Sequence, residues 1–205
     1  MSNMIDTDEK RVSYGIGRQM GEQLLASNIP DLALELVAAG LKDAFQQQPS
    51  QVPEAELQAA FQVLQGKMQA AAEAAAAQAA QAGVDFLAEN AKREGVITLA
   101  SGLQYEVVTA GTGATPDASS TVRTHYEGTL ISGEVFDSSY KRGQPAEFPV
   151  GGVIAGWTEA LQLMQEGAKW RLYIPSELAY GARGAGNSIP PHSALIFDIE
   201  LIKVL

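Results

Sequence analysis

At 205 residues, with 46% hydrophobic and 19% charged side chains, the chain has the composition of a folded protein with one large or two modest domains. A formal net charge of −10, with no lysine or arginine cluster to interrupt it, argues against a phosphate backbone or an anionic membrane surface as partner. The absence of cysteine excludes disulfide and thiolate chemistry.

Residues 1–10 carry three acidic side chains and no apolar core of signal-peptide length, and no later run approaches the roughly 18 apolar residues of a membrane span. A cytoplasmic location is the expectation. From Thr7 to about Gln48 the pattern reads as two helices, broken near Asn28-Ile29-Pro30, where proline disfavours helical geometry in the residue before it. Leu34, Val37, Leu41 and Phe45 recur at three- and four-residue spacing and fall on one helix face, which something must cover. Gly15, Gly17 and Gly21 have the spacing G-x-G-x-x-x-G with no strand before them, so they do not form a dinucleotide fingerprint. Within a helix each costs ~1 kcal/mol relative to alanine, and close approach of another helix is the better explanation.

A third helix is predicted from Pro53, a residue suited to the first turn, to about Lys92, a rod of ~60 Å at the usual rise. Leu57, Phe61, Leu64 and Met68 make an apolar seam on its early part. Residues 69–83 then hold only Gln, Ala, Glu and Gly, and alanine has the best helix propensity but offers little apolar surface to bury. An exposed stalk is expected there, the alternative being a disordered linker, with a local bend at Gly83. Some seventy residues with only a few apolar stripes are marginal as an isolated domain, which favours self-association.

Beyond Gly95 the periodicity switches to alternation. Val122, Thr124, Tyr126 and Leu130 share one side of a candidate strand, with Arg123, His125 and Glu127 on the other; Leu103 to Thr109, Ala168 to Ile174 and Leu195 to Val204 behave similarly. Ile154, Trp157, Leu161 and Met164 mark one short amphipathic helix. Several strands and one helix imply an α+β fold, an antiparallel sheet packed on that helix. His125 and His192 have no second histidine or cysteine to complete a ligand set and read as surface or loop residues.

Three separated segments bring aromatic or branched residues plus one polar group: Val135-Phe136-Asp137-Ser138-Ser139, then Val153-Ile154-Ala155-Gly156-Trp157, then Ala179-Tyr180-Gly181 with Ile189-Pro190-Pro191. On these motifs the C-terminal part closely resembles the FKBP-type peptidyl-prolyl cis/trans isomerases. With the helices in front, the chain resembles the family's bacterial macrophage infectivity potentiator group. The resemblance implies an all-helical dimerisation domain over 1–68, a stalk helix over 69–94 and a catalytic domain over 95–205, its sheet wrapped on one short helix. A non-covalent isomerase without metal or cofactor is implied, acting on unfolded or partly folded proline-containing proteins and inhibited by tacrolimus and rapamycin. Chaperone-like client binding through the N-terminal homodimer goes with it. The alternative is a chaperone or scaffold that uses the same pocket without turnover.

The resemblance places Tyr126, Phe136, Val153, Ile154, Trp157, Tyr180, Ile189 and Phe197 around a socket for proline. Trp157 is its floor, and Phe136 and Phe197 lie against the ring. The Tyr180 hydroxyl and the Ile154 backbone amide hold substrate carbonyls. Asp137 stands nearest the twisting amide, oriented by Tyr126 and Arg142, and Phe148 divides between pocket wall and core. Ala146 replaces an aromatic of small single-domain relatives, so one side of the pocket is expected to be more open, and Ala185 and Ser188 replace bulkier loop residues, so substrate and drug affinity are expected to differ from those relatives.

Overall fold

The computed structural model describes residues 5–27, 29–186 and 188–205. Thr7 starts the first helix, α1 (Asp8–Ala26): its hydroxyl accepts the Lys10 N–H, and Asp8 and Glu9 sit at the positive end of the helix dipole. The break expected at Asn28-Ile29-Pro30 lies outside the described residues at Asn28. The next helix, α2, spans Leu34–Phe45. A third, α3, spans Glu54–Asn90. Pro53 does not begin α3 but precedes it, its carbonyl accepting the Leu57 N–H.

The chain separates into two compact units, Met1–Ala70 and Ala71–Leu205. In the first, no residue of α1 or α2 is buried. The α2 face made by Leu34, Val37, Leu41 and Phe45 leaves Phe45 92% exposed. Val37 and Leu41 face Met20 and Leu24 of α1 across a shallow hollow. Among the described residues no atom lies within 4 Å of where a side chain on Gly15, Gly17 or Gly21 would begin, so no helix of the same chain makes the expected close approach.

The second unit starts within α3. Residues 71–75 are exposed, but from Ala76 onward one face is partly covered, and Gly83 and Asn90 are buried. The helix therefore stands free over less of its length than its alanine-rich sequence implies. A Cβ on Gly83 would lie 3.1 Å from the Cβ of Ala194. The glycine permits close packing, and α3 continues unbroken through it.

Seven antiparallel strands follow among the described residues: β1 (Val96–Thr98), β2 (Gln104–Thr109), β3 (Thr121–Leu130), β4 (Val135–Ser138), β5 (Ala146–Pro149), β6 (Lys169–Ile174) and β7 (Leu195–Val204). They order as β1-β2-β6-β7-β3-β4, with β5 also paired to β3. The three shortest, β1, β4 and β5, are too brief for alternation to reveal. β3 and β7 alternate buried and partly exposed residues along most of their length, so Val122, Thr124 and Tyr126 meet Leu195, Phe197, Ile199 and Leu201 on the inner face. A short helix, α4 (Ala155–Leu161), covers that face and buries Trp157, Ala160 and Leu161; Met164, expected on the helix, lies just past its end and is also fully buried. No helix among the described residues is long and apolar enough to cross a membrane.

Candidate active site

The sheet and α4 leave a cavity of about 370 Å³ at one end of the core. Tyr126 reaches it from β3, Phe136 and Asp137 from β4, Phe148 from β5 and Phe197 from β7. Val153, Ile154 and Trp157 come from the start of α4 and the turn before it, and Tyr180 from the loop after β6. Residues distant in sequence meet because β3 pairs with both β4 and β7, and α4 lies across them.

Trp157 is 4% exposed and holds three rings edge-on. The centroids of Tyr126 and Phe197 lie 5.2 Å from it and that of Phe148 5.7 Å, at interplanar angles of 82°, 84° and 88°. Phe136 stands on Phe197 in the same way, at 5.5 Å and 83°. Perpendicular contacts set the positive edge of one ring against the negative face of another, so the cluster is fixed in angle as well as packed. Phe148 serves as both pocket wall and core contact.

One charged group faces this apolar wall. Tyr126 donates its hydroxyl proton to Asp137 Oδ2 at 2.5 Å, Arg142 donates to Asp137 Oδ1, and Arg142 Nη2 donates to the Tyr126 hydroxyl at 2.7 Å. Burial pushes the Asp137 carboxyl up, but the hydrogen bonds from Tyr126 and Arg142 and the charge of Arg142 outweigh it, so the group is held below the usual carboxylate range. Burial, then the bond to Asp137, push the Tyr126 hydroxyl up. The bond to Asp137 raises Arg142. The result is a closed triangle of tyrosine, carboxylate and guanidinium with its charges fixed at neutral pH.

Two residues expected around the socket stand behind it. Arg142 does not line the cavity and acts on it through Asp137 and Tyr126. Ile189 is buried in the core and exchanges backbone hydrogen bonds with Ala185 at 2.8 and 3.1 Å, which secures the loop bearing Tyr180. Ile154 occupies the cap position of α4, where a backbone N–H has no partner within the helix. Ala146 lies in β5 opposite Thr124, packed against the core, and Ser188 is exposed.

Three contributors escape a reading of the sequence. Gly128 takes an inward position of β3, where a Cβ would fall 2.6 Å from atoms of Phe136 and Phe197. A glycine interrupting the apolar side of an alternating strand is the signal that marks it. Gly152 lines the cavity beside Val153. Ser139, fully buried just after β4, accepts the Tyr126 N–H at 2.7 Å. Chemically the site offers dry aromatic walls, one oriented ion pair and a tyrosine hydroxyl at the rim. Among the described residues no group of three or more metal-ligating side chains occurs.

Comparison with known proteins agrees with this geometry. Residues 113–202 match the model of the FKBP-type peptidyl-prolyl cis-trans isomerase family, and residues 9–107 match the domain amino terminal to FKBP-type peptidyl-prolyl isomerase. The FKBP-type 22 kDa peptidyl-prolyl cis-trans isomerase of Escherichia coli (strain K12) is 50% identical over 200 residues, covering 98% of this chain and 97% of its own. Peptidyl-prolyl cis-trans isomerase Mip of Coxiella burnetii is 43% identical, covering 98% of this chain and 88% of its own. The crystal structure of FkpA from Escherichia coli superposes with a TM-score of 0.71 at 38% identity and covers 98% of each chain. The chain belongs to the FKBP-type peptidyl-prolyl cis-trans isomerases and carries the family's amino-terminal domain ahead of the isomerase domain.

Proposed function

We propose that this isomerase twists prolyl peptide bonds in the cavity between β3, β4, β7 and α4, and that its N-terminal helices pair with a second copy and retain unfolded clients. Peptide-bond rotation faces a barrier of ~18–20 kcal/mol, because resonance gives the C–N bond partial double-bond character. No bond has to break. A planar amide is more polar than its twisted transition state, so transfer from water into the aromatic cavity removes solvation that the transition state needs less. The proline ring sits on Trp157 between Phe136 and Phe197. Tyr180 and the Ile154 N–H hold flanking carbonyls, and the ionised Asp137 faces the twisting amide. Each tenfold acceleration requires only ~1.4 kcal/mol of preferential stabilisation.

One observation carries this reading: four mutually perpendicular ring contacts and an ion-paired carboxylate meet in a single cavity. Asp137→Ala tests it more cleanly than Trp157→Ala, which also removes core packing worth about 3–5 kcal/mol. We expect the Asp137 variant to stay folded and to lose at least about tenfold in turnover of a short prolyl peptide, a loss of ~1.4 kcal/mol in transition-state binding. Unchanged turnover in a folded variant removes Asp137 from the reacting group. Tacrolimus and rapamycin are expected to compete with the peptide for this cavity.

The apolar faces of α1 and α2 support the second half of the proposal. Leu25, Leu34, Leu36 and Phe45 are all exposed in the single chain. Burying such a surface in a homodimer is the economical explanation for its presence. A client held by the paired helices stays tethered to a cavity, which raises the effective concentration of its prolines there.

A further inference from the structure

Ser139 does the work of a ladder carbonyl where β4 ends. Its N–H donates to the Tyr126 carbonyl at 2.9 Å, and its hydroxyl oxygen accepts the Tyr126 N–H at 2.7 Å. The same oxygen lies 3.1 Å from the Tyr126 carbonyl and 2.9 Å from Nδ1 of His125. A hydroxyl has one proton and two lone pairs. The Tyr126 amide fills one lone pair, so the rest depends on the histidine. With Nδ1 bare, the Ser139 proton goes to the ring and one lone pair is left over. With Nδ1 protonated, the ring donates into that lone pair, and the Ser139 proton turns to the Tyr126 carbonyl. Only the second arrangement uses every bonding capacity of a hydroxyl that is fully buried.

Ser139 lies between the two residues that complete the charged triangle, Asp137 before it and Arg142 after it. Its anchor to Tyr126 therefore fixes the backbone on which all three members of the triangle are carried. We propose that His125 is a positioning residue for prolyl isomerisation: through the Ser139 hydroxyl, its Nδ1 sets how firmly the segment carrying Asp137 and Arg142 is pinned to Tyr126. The proposal rests on the role assigned to Asp137 above.

The ring of His125 is held from the other side. It stacks on Tyr140 at 4.6 Å and 14°, and the Tyr140 hydroxyl donates to Glu200, the cross-strand partner of His125 on β7. Lys169 of β6, paired with Glu200, lies 5.6 Å from the Tyr140 ring. The stack and the contact with Ser139 therefore fix the imidazole at both its face and its Nδ1 edge.

The test measures kcat and KM for a short prolyl peptide with the full-length protein and three variants. His125→Phe keeps the stack on Tyr140 but lacks Nδ1; a kcat lower by about three- to tenfold at unchanged KM is expected from a misplaced carboxylate. His125→Asn, whose amide reaches the Nδ1 position, is expected to restore most of kcat. Melting curves accompany each, and if His125→Phe does not fold, His125→Leu takes its place. Wild-type kcat in a folded His125→Phe protein overturns the proposal, as does a folded Asn variant that is no better than Phe. Asp137→Ala in the same series separates the two readings: normal turnover there defeats the role of Asp137, whereas its loss beside a normal His125→Phe protein defeats only the role of His125.

Discussion

Asn90, in the last turn of α3, donates its side-chain amide to Gln104 Oε1 at 2.8 Å, and Gln104 returns its own amide to the Leu87 carbonyl at 2.9 Å. Both side chains are buried. Arg93 extends the joint, donating to Asn90 Oδ1 and to the Tyr173 hydroxyl, each at 2.8 Å. Phe86 packs on Tyr173 at 6.0 Å. The end of α3 is thus bolted to β2 and β6.

A fragment beginning at Ala71 is therefore expected to be more stable than one beginning at Gly95. The shorter piece strips Gln104 of both partners and uncovers Tyr173. The two lost hydrogen bonds are worth about 0.5–1.5 kcal/mol each, and the lost apolar cover adds about 1–2 kcal/mol. Urea unfolding of the two fragments measures the difference, and equal midpoints would show that α3 is dispensable to the sheet.

Tyr126→Phe is expected to lower stability at neutral pH by an amount that vanishes in acid. The folded-state carboxyl of Asp137 lies below its ordinary value, so its stabilising contribution is complete above the unfolded value near ~3.9 and is lost as pH falls through the folded value. Removing the Tyr126 donor leaves burial, which pushes upward, less opposed. Unfolding midpoints at about pH 7 and about pH 2.5 then show a gap between wild type and variant that closes at the lower pH. A gap that persists in acid assigns the loss to packing.

Gly128→Ala sets a methyl group 2.6 Å from the ring edges of Phe136 and Phe197. Those edges are the far ends of side chains, so the rings can give way at an overpacking cost of about 1–3 kcal/mol. The shift falls on the proline-binding wall, and we expect peptide turnover to drop by at least tenfold, ~1.4 kcal/mol, in a protein that still melts cooperatively. A variant with normal turnover would place the proline ring elsewhere.

Sedimentation is expected to give a dimer for the full chain at micromolar concentration and a monomer for Leu41→Ser combined with Phe45→Ser. Turnover of a short peptide is expected to be the same in both, because the cavity lies wholly in the second unit. Proline-limited refolding of a whole protein is expected to slow several-fold in the monomer as the effective concentration of client falls. A wild-type monomer, or equal refolding rates, removes the client-holding role while leaving the isomerase intact.

Long, strongly periodic segments were legible before any coordinates. β3 and β7 show their inner faces through alternation, because burial on one side repeats with the period of the backbone, and α2 and the first part of α3 show apolar stripes at helical spacing. Strands of three or four residues, such as β1, β4 and β5, carry too few repeats to stand out. Trp157 was legible through helical periodicity as well as family motif, whereas Phe136 and Asp137 were legible through the motif alone. The placement of Ile189 and Arg142 outside the cavity lining was not, since a motif names residues without saying which way each side chain points.

The sequence by itself determined the helices and the long strands, the switch from helical to alternating pattern near Gly95 and the exclusion of thiol chemistry, while most residues of the pocket were named through the family resemblance. The elements, the switch and the exclusion follow from local propensity, spacing and composition, which need no knowledge of what each segment meets. Only the tertiary structure decided that Gly83 packs on Ala194, that Gly128 makes room for two rings, and that one buried hydroxyl on Ser139 joins His125 to Tyr126. Such contacts join residues as far apart as Gly83 and Ala194, and their geometry is set by strand register and helix docking together, which no local pattern encodes.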